Sequence, residues 1–102
     1  MSTFDTLRCD IPFVQPVGTV WQTKDFPDYI GQHEYHIASD GTIWTIVDVD
    51  GRWEIVRLPN FSGDLYFYAL VNVVAWEYFA TVERGRVARV VQLSPQHEEE
   101  DD

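Results

Sequence analysis

Apolar and polar residues alternate along most of this chain with a period of two. That is the spacing of strands with one buried face. The firmest stretch runs from Gln32 to Leu58. In HEYHIAS, Tyr35 and Ile37 share one face, and Glu34 and His36 share the other. Asp40-Gly41 follows, a tight-turn pair because Gly accepts positive φ without penalty and Asp tolerates it. TIWTIVDV then returns as a strand of β-branched and aromatic residues. Asp48-Val49-Asp50-Gly51 turns the chain into RWEIVRL, where Trp53 and Ile55 alternate with Glu54 and Val56. The pattern predicts three strands in a meander.

Beyond the breaker cluster Pro59-Asn60-Phe61-Ser62-Gly63, DLYFYALV places Leu65, Phe67, Ala69 and Val71 on one face. Tyr66, Tyr68 and Leu70 take the other. VAWEYFATVE sets Trp76, Tyr78, Ala80 and Val82 against Glu77, Phe79, Thr81 and Glu83. Arg84-Gly85 marks a hairpin turn. RVARVVQL closes the fold with Val87, Val91 and Leu93 on one face and Ala88 and Val90 on the other. A helix over 69–83 competes with this reading. Its apolar residues leave no polar stripe at helical spacing, however, and β-branched and aromatic residues are dense. Two strands with a turn near Asn72 are therefore predicted.

The first third is less regular. TFDTLRC alternates weakly, with Leu7 and Cys9 inward. Pro12 and Pro16 make 10–19 a loop or edge segment. Val20 to Thr23 reads as a short strand, and Pro27 and Gly31 bracket an irregular stretch. The expected fold is all-β and mostly antiparallel, with six to seven short strands in a curled sheet, small barrel or sandwich. One domain is expected over 1–94, followed by an acidic flexible tail over 95–102.

Composition bounds the function classes. A chain of 102 residues builds a single core. No apolar run reaches the ~20 residues of a membrane span, and MSTFDTLRCD has no signal-peptide pattern. Cys9 is the single cysteine, so no internal disulfide forms and a reducing compartment fits. The net charge is −10. Without Glu98 to Asp102, 12 acidic residues face 7 basic ones, leaving −5 on the body. Such a chain repels phosphates and anionic membranes, so neither direct nucleic-acid binding nor membrane binding is expected. A basic partner surface suits it.

Candidate chemistry is sparse. His33 and His36 are three apart on a strand, where their side chains point to opposite faces, so no metal site is expected. Asp48, Asp50 and Gly51 lack the other ligands of a calcium loop. Cys9 with His33 or His36 would need a base within hydrogen-bond reach, and buried structural cysteine is the commoner fate. Glu34, Glu54 and Glu77 read as a solvated face rather than an acid–base pair. No catalytic residue and no cofactor is expected. The polar run Gln22, Thr23, Lys24, Asp25, set between Trp21 and Phe26-Pro27, reads as a corner whose side chains bond unpaired backbone; a working site is the competing reading. Surplus aromatics carry more information. Tyr66 and Tyr68, with Asp64, Glu77 and Glu83 nearby, form a candidate acidic-aromatic contact patch.

The order FDTLRCDIP, WQTKDF, YHIASDGTIW, FSGDLYFY and WEYFATVERGRV resembles a family of small uncharacterised proteins of bacteria and their phages. The resemblance spans about residues 4 to 93, with a shorter insert before FSGDLYFY than many relatives carry. It implies a single β-rich domain and a bacterial host cytoplasm, and it supplies no catalytic residues. The resulting expectation is a non-enzymatic acidic binding protein, phage- or mobile-element-encoded. It would block a host defence or nucleic-acid-processing complex in an anti-CRISPR-like manner, with DNA mimicry as one form. The alternatives are a self-associating accessory protein, a homodimer among its forms, and a small enzyme or ligand binder using Cys9 and His33.

Overall fold

The computed structural model describes residues 4–26 and 33–95. Eight strands form: β1 (Asp5–Cys9), β2 (Val20–Thr23), β3 (Glu34–Ile37), β4 (Ile43–Val49), β5 (Arg52–Arg57), β6 (Gly63–Val71), β7 (Val74–Glu83) and β8 (Arg86–Ser94). They make one curled sheet in the order β5-β4-β3-β1-β2-β6-β7-β8. The count exceeds the expected six to seven because both weak N-terminal segments pair. Every pairing is antiparallel except β1 with β3, where Leu7 lies beside Tyr35 and Cys9 beside Ile37. The expected tail falls, apart from Pro95, outside the described residues, as does the Pro27–Gly31 stretch.

Turn chemistry places the hairpins. Asp50-Gly51, Asn72-Val73 and Arg84-Gly85 all have positive φ, the backbone of two-residue hairpin turns that match strand twist. The helix alternative over 69–83 gives way to the ladder of β6 on β7, from Val71↔Val74 to Gly63↔Val82.

The sheet curls into a half-barrel around its inner face. Ile43 N–H donates to the Gly85 carbonyl at 3.0 Å, and Val87 N–H donates to the Gly41 carbonyl at 2.8 Å. These bonds join the start of β4 to the β7–β8 turn. Gly85 is required there. Its φ is +76°, and a Cβ would fall against the Leu58 carbonyl oxygen and 2.7 Å from Pro59 Cα.

Leu7, Cys9, Trp21, Ile37, Leu65, Phe67, Tyr78, Ala80 and Val82 fill the inner face, as alternation predicts. Trp21, Phe67 and Tyr78 pack with ring centroids 5.3 to 5.6 Å apart. Segment 10–19 lies over this core, with Val14 buried. The Tyr78 hydroxyl holds it, accepting from Gln15 N–H at 3.0 Å and donating to the Gln15 carbonyl at 3.1 Å.

One face assignment needs correction. Val87 and Val90 both pack against the core, although alternation puts them on opposite faces. Val82 pairs with Val87 while Thr81 pairs with Arg89, so Ala88 is an extra residue in the ladder. A bulge of this kind reverses the parity of the residues after it, so Val91, paired with outward Phe79, also leaves the face of Val87, until a second shift at Leu93 restores the phase.

Candidate functional site

The polar run of β2 and the tyrosines of β6 form one unit. Gln22 pairs with Tyr68 and Thr23 with Phe67. The sheet ladder there is short, and side chains extend it. Buried Thr23 donates its hydroxyl to the Tyr66 carbonyl at 2.8 Å and accepts the Asp25 amide at 3.3 Å. The Asp25 carboxylate accepts the Tyr66 amide at 2.7 Å. Both polar groups of one β6 peptide position are thus held by side chains from β2 and the residues just after it. Thr23 and Asp25 bond backbone, but chiefly that of Tyr66 across the sheet rather than groups within the corner.

The clamp supports an outer aromatic row. Alternation turns Tyr66 and Tyr68 outward, half-buried, with stacked rings 5.7 Å apart. Phe4 meets Tyr68 edge-on at 6.0 Å. Lys24 extends its ammonium over Phe4, 5.1 Å from the ring centroid, a cation–π contact. Tyr66 donates its hydroxyl to Glu77 Oε1 at 3.1 Å. Burial, then the hydrogen bond to Glu77 and the charges of Glu77 and Tyr68, push the Tyr66 hydroxyl above the ordinary tyrosine value. It therefore stays protonated and donating at neutral pH.

Asp64 and Glu83 take the same outer face by alternation with Tyr66 and Glu77. All five residues of the expected patch share the outer face of the β6–β7 hairpin; Glu77 meets Tyr66, while Asp64 and Glu83 lie further along the strands. The face is not uniformly acidic, because β8 sets Arg86 opposite Glu83 and Arg89 opposite Thr81. Carboxylates elsewhere do local work. Asp5 meets His33 at 3.0 Å and Asp10 meets His36 at 2.7 Å. Asp48 accepts the Gly51 amide at 3.0 Å, which closes the β4–β5 turn. Asp40 accepts from both the hydroxyl and the amide of Thr42, and these bonds hold its carboxyl below the usual range.

The other candidates are kept apart. Cys9 points into the core, where burial pushes its thiol up to about 11. His36 pairs with Arg8 in the ladder and so takes the outer face, bonded to Asp10. Glu34 and Glu77 sit on β3 and β7 with three strands between them, ~19 Å at ~4.8 Å per strand. That exceeds the separation of a glycosidase pair. Among the described residues, no three metal-ligating side chains converge.

Sequence reasoning missed two features. Phe4 joins the tyrosine row, and its parity with Thr6 and Arg8 was the available signal. A cavity of about 310 Å³ also opens on the outer face, with Arg8, Glu34 and His36 beside Trp44, Ile46 and Ile55. Its lining comes from five strands, so no local motif marks it.

No family model, curated protein or solved structure matches this chain.

Proposed function

We infer that the protein is a non-enzymatic binding module, and that the outer face of β6 and β7 makes the contact. The Thr23–Asp25 clamp on Tyr66 carries this reading. It fixes the backbone of Tyr66, whose hydroxyl is bonded to Glu77 and whose ring stacks on Tyr68, itself met by Phe4, before any partner arrives. Preorganised aromatics lose little conformational freedom on binding and anchor interfaces well. Glu77 beside them, and Asp64 and Glu83 further along the same face, suit a host protein with a basic surface. The chain's net charge of −10 would steer that encounter.

In the setting that the motifs imply, the partner is a component of a bacterial defence or nucleic-acid-processing complex, and the protein is its phage-encoded inhibitor. Tyrosine anchoring supplies affinity here, and acids supply steering. Mimicry of DNA is the more demanding form of the proposal, since the body's carboxylates are dispersed and many are bonded locally. It would have to draw on Glu98 to Asp102, which lie outside the described residues.

The test is retention of host proteins on the immobilised protein at low and high salt. A specific partner held at low salt and weakened as salt rises supports the reading. Recovery of no partner at low salt counts against it.

A further inference from the structure

Among the described residues, β5 ends the sheet, with only β4 beside it. All six of its residues are exposed, Trp53 at 72% and Ile55 at 65%. Natural edge strands are blunted by bulges, prolines, short length or charged side chains, and of these β5 carries only charges, at Arg52, Glu54 and Arg57. β5 pairs with β4 without a register shift and contains no proline.

The phase of its free edge follows from the hairpin. Asp50-Gly51 is a two-residue turn closing on the pair Val49↔Arg52. Such a turn makes the closing pair hydrogen-bonded, and every second pair after it. Leu58 N–H donating to the Ile43 carbonyl at 2.9 Å continues that phase. Arg52, Glu54 and Val56 therefore bond to β4, and the peptide groups of Trp53, Ile55 and Arg57 point out of the sheet. On the outer face, their side chains stand beside Asp48, Ile46 and Trp44 in turn.

We propose that β5 pairs antiparallel with β5 of a second copy, about a twofold axis through Ile55. An antiparallel seam must set outward-pointing residues opposite one another. Centred on Ile55, all three take part, for about six interchain hydrogen bonds. Trp53 then faces the partner's Arg57, Ile55 faces the partner's Ile55, and Glu54 faces the partner's Val56. Each Arg57 lies between Trp44 of its own chain and the partner's Trp53, a favourable cation–π arrangement. Centring on Glu54 would oppose two carboxylates, which is destabilising. Centring on Val56 would leave Trp53 out. The interface is isologous and closes as a dimer. It lies at the far end of the sheet from the tyrosine face and does not rest on the binding reading.

A single-strand seam falls below a standard interface, so the dimer is weak. Sedimentation equilibrium of the full chain, at salt that screens the repulsion between acidic chains, should show a monomer–dimer equilibrium. Ile55→Lys sets two ammonium groups at the axis and should weaken dimerisation by at least about tenfold; Ile55 is exposed, so circular dichroism should be unchanged. Under mild oxidation, Ile55→Cys should link covalently, because hydrogen-bonded antiparallel partners lie about 5.5 Å apart at Cα, within disulfide reach. Trp53→Cys, which faces Arg57, should not. The proposal is overturned by a monomer at every concentration, by association indifferent to Ile55→Lys, or by Trp53→Cys linking as readily as Ile55→Cys.

Discussion

The Asp25 carboxylate accepts the Tyr66 amide at 2.7 Å, across 41 residues of sequence. Thr23 takes the carbonyl of the same residue. An irregular corner at the end of β2 therefore fixes a tyrosine on the outer face of β6. Asp25→Ala should cost about 1–2 kcal/mol, since a charge-assisted bond to backbone is lost at a partly solvated site. Asp25→Asn keeps an acceptor and should cost less. Thr23→Val leaves the Tyr66 carbonyl without its donor in a buried place, for about 1–3 kcal/mol. Urea unfolding of the three single variants and of the Asp25→Ala/Thr23→Val double variant checks this. The costs should be non-additive by at least about 0.5 kcal/mol, because both side chains hold one position.

Tyr78 ties segment 10–19 to the core through two bonds to Gln15. Tyr78→Phe removes both and keeps the ring packing on Trp21 and Phe67. Stability should fall by about 1–2 kcal/mol. Limited proteolysis should show faster cleavage within 10–19, with the remaining sheet resistant.

Alkaline pH should destabilise the fold through Cys9. Burial raises its thiol from 9.0 to about 11. Between these values the folded state holds a proton that the unfolded state has released, so stability falls as pH rises. The contribution is fully present below pH 9 and lost as pH passes 11, in total about 2–3 kcal/mol. Urea unfolding from pH 8 to 11 should show a steeper decline for the wild type than for Cys9→Ala.

Val73 stands at φ +59° in the β6–β7 turn, with 91% of its surface exposed. A β-branched residue is strained there, and its side chain packs on little. Val73→Gly creates the Asn-Gly pair that this turn type prefers. The variant should be more stable by about 1 kcal/mol, read as a rise in Tm of about 4–8 °C.

Much of the sheet was legible because strand alternation and turn residues are local signals. Leu65, Phe67, Tyr78, Ala80 and Val82 turn inward as their spacing requires, and turns fall at Asp50-Gly51, Asn72-Val73 and Arg84-Gly85. What was not legible depends on partners distant in sequence. The parallel pairing of Leu7 with Tyr35 has no local mark. Thr23 and Asp25 were recognisable as backbone-bonding residues, but their target on β6 was not. The bulge at Ala88 reverses the face of Val90 without any glycine to announce it. RWEIVRL alternates like the other strands, but its outer-face residues Trp53 and Ile55 lie at the end of the sheet, in solvent. For the contact patch, alternation put Tyr66, Tyr68, Asp64, Glu77 and Glu83 on one face, while Phe4, Lys24 and the β8 arginines entered through tertiary pairing.

The most direct test of the binding face is a comparison of host proteins retained by the wild type and by a Tyr66→Ser/Tyr68→Ser variant, shown to be folded by circular dichroism. The tyrosine-face account predicts a specific host partner held by the wild type and lost from the variant. Equal retention of that partner by both proteins would contradict it.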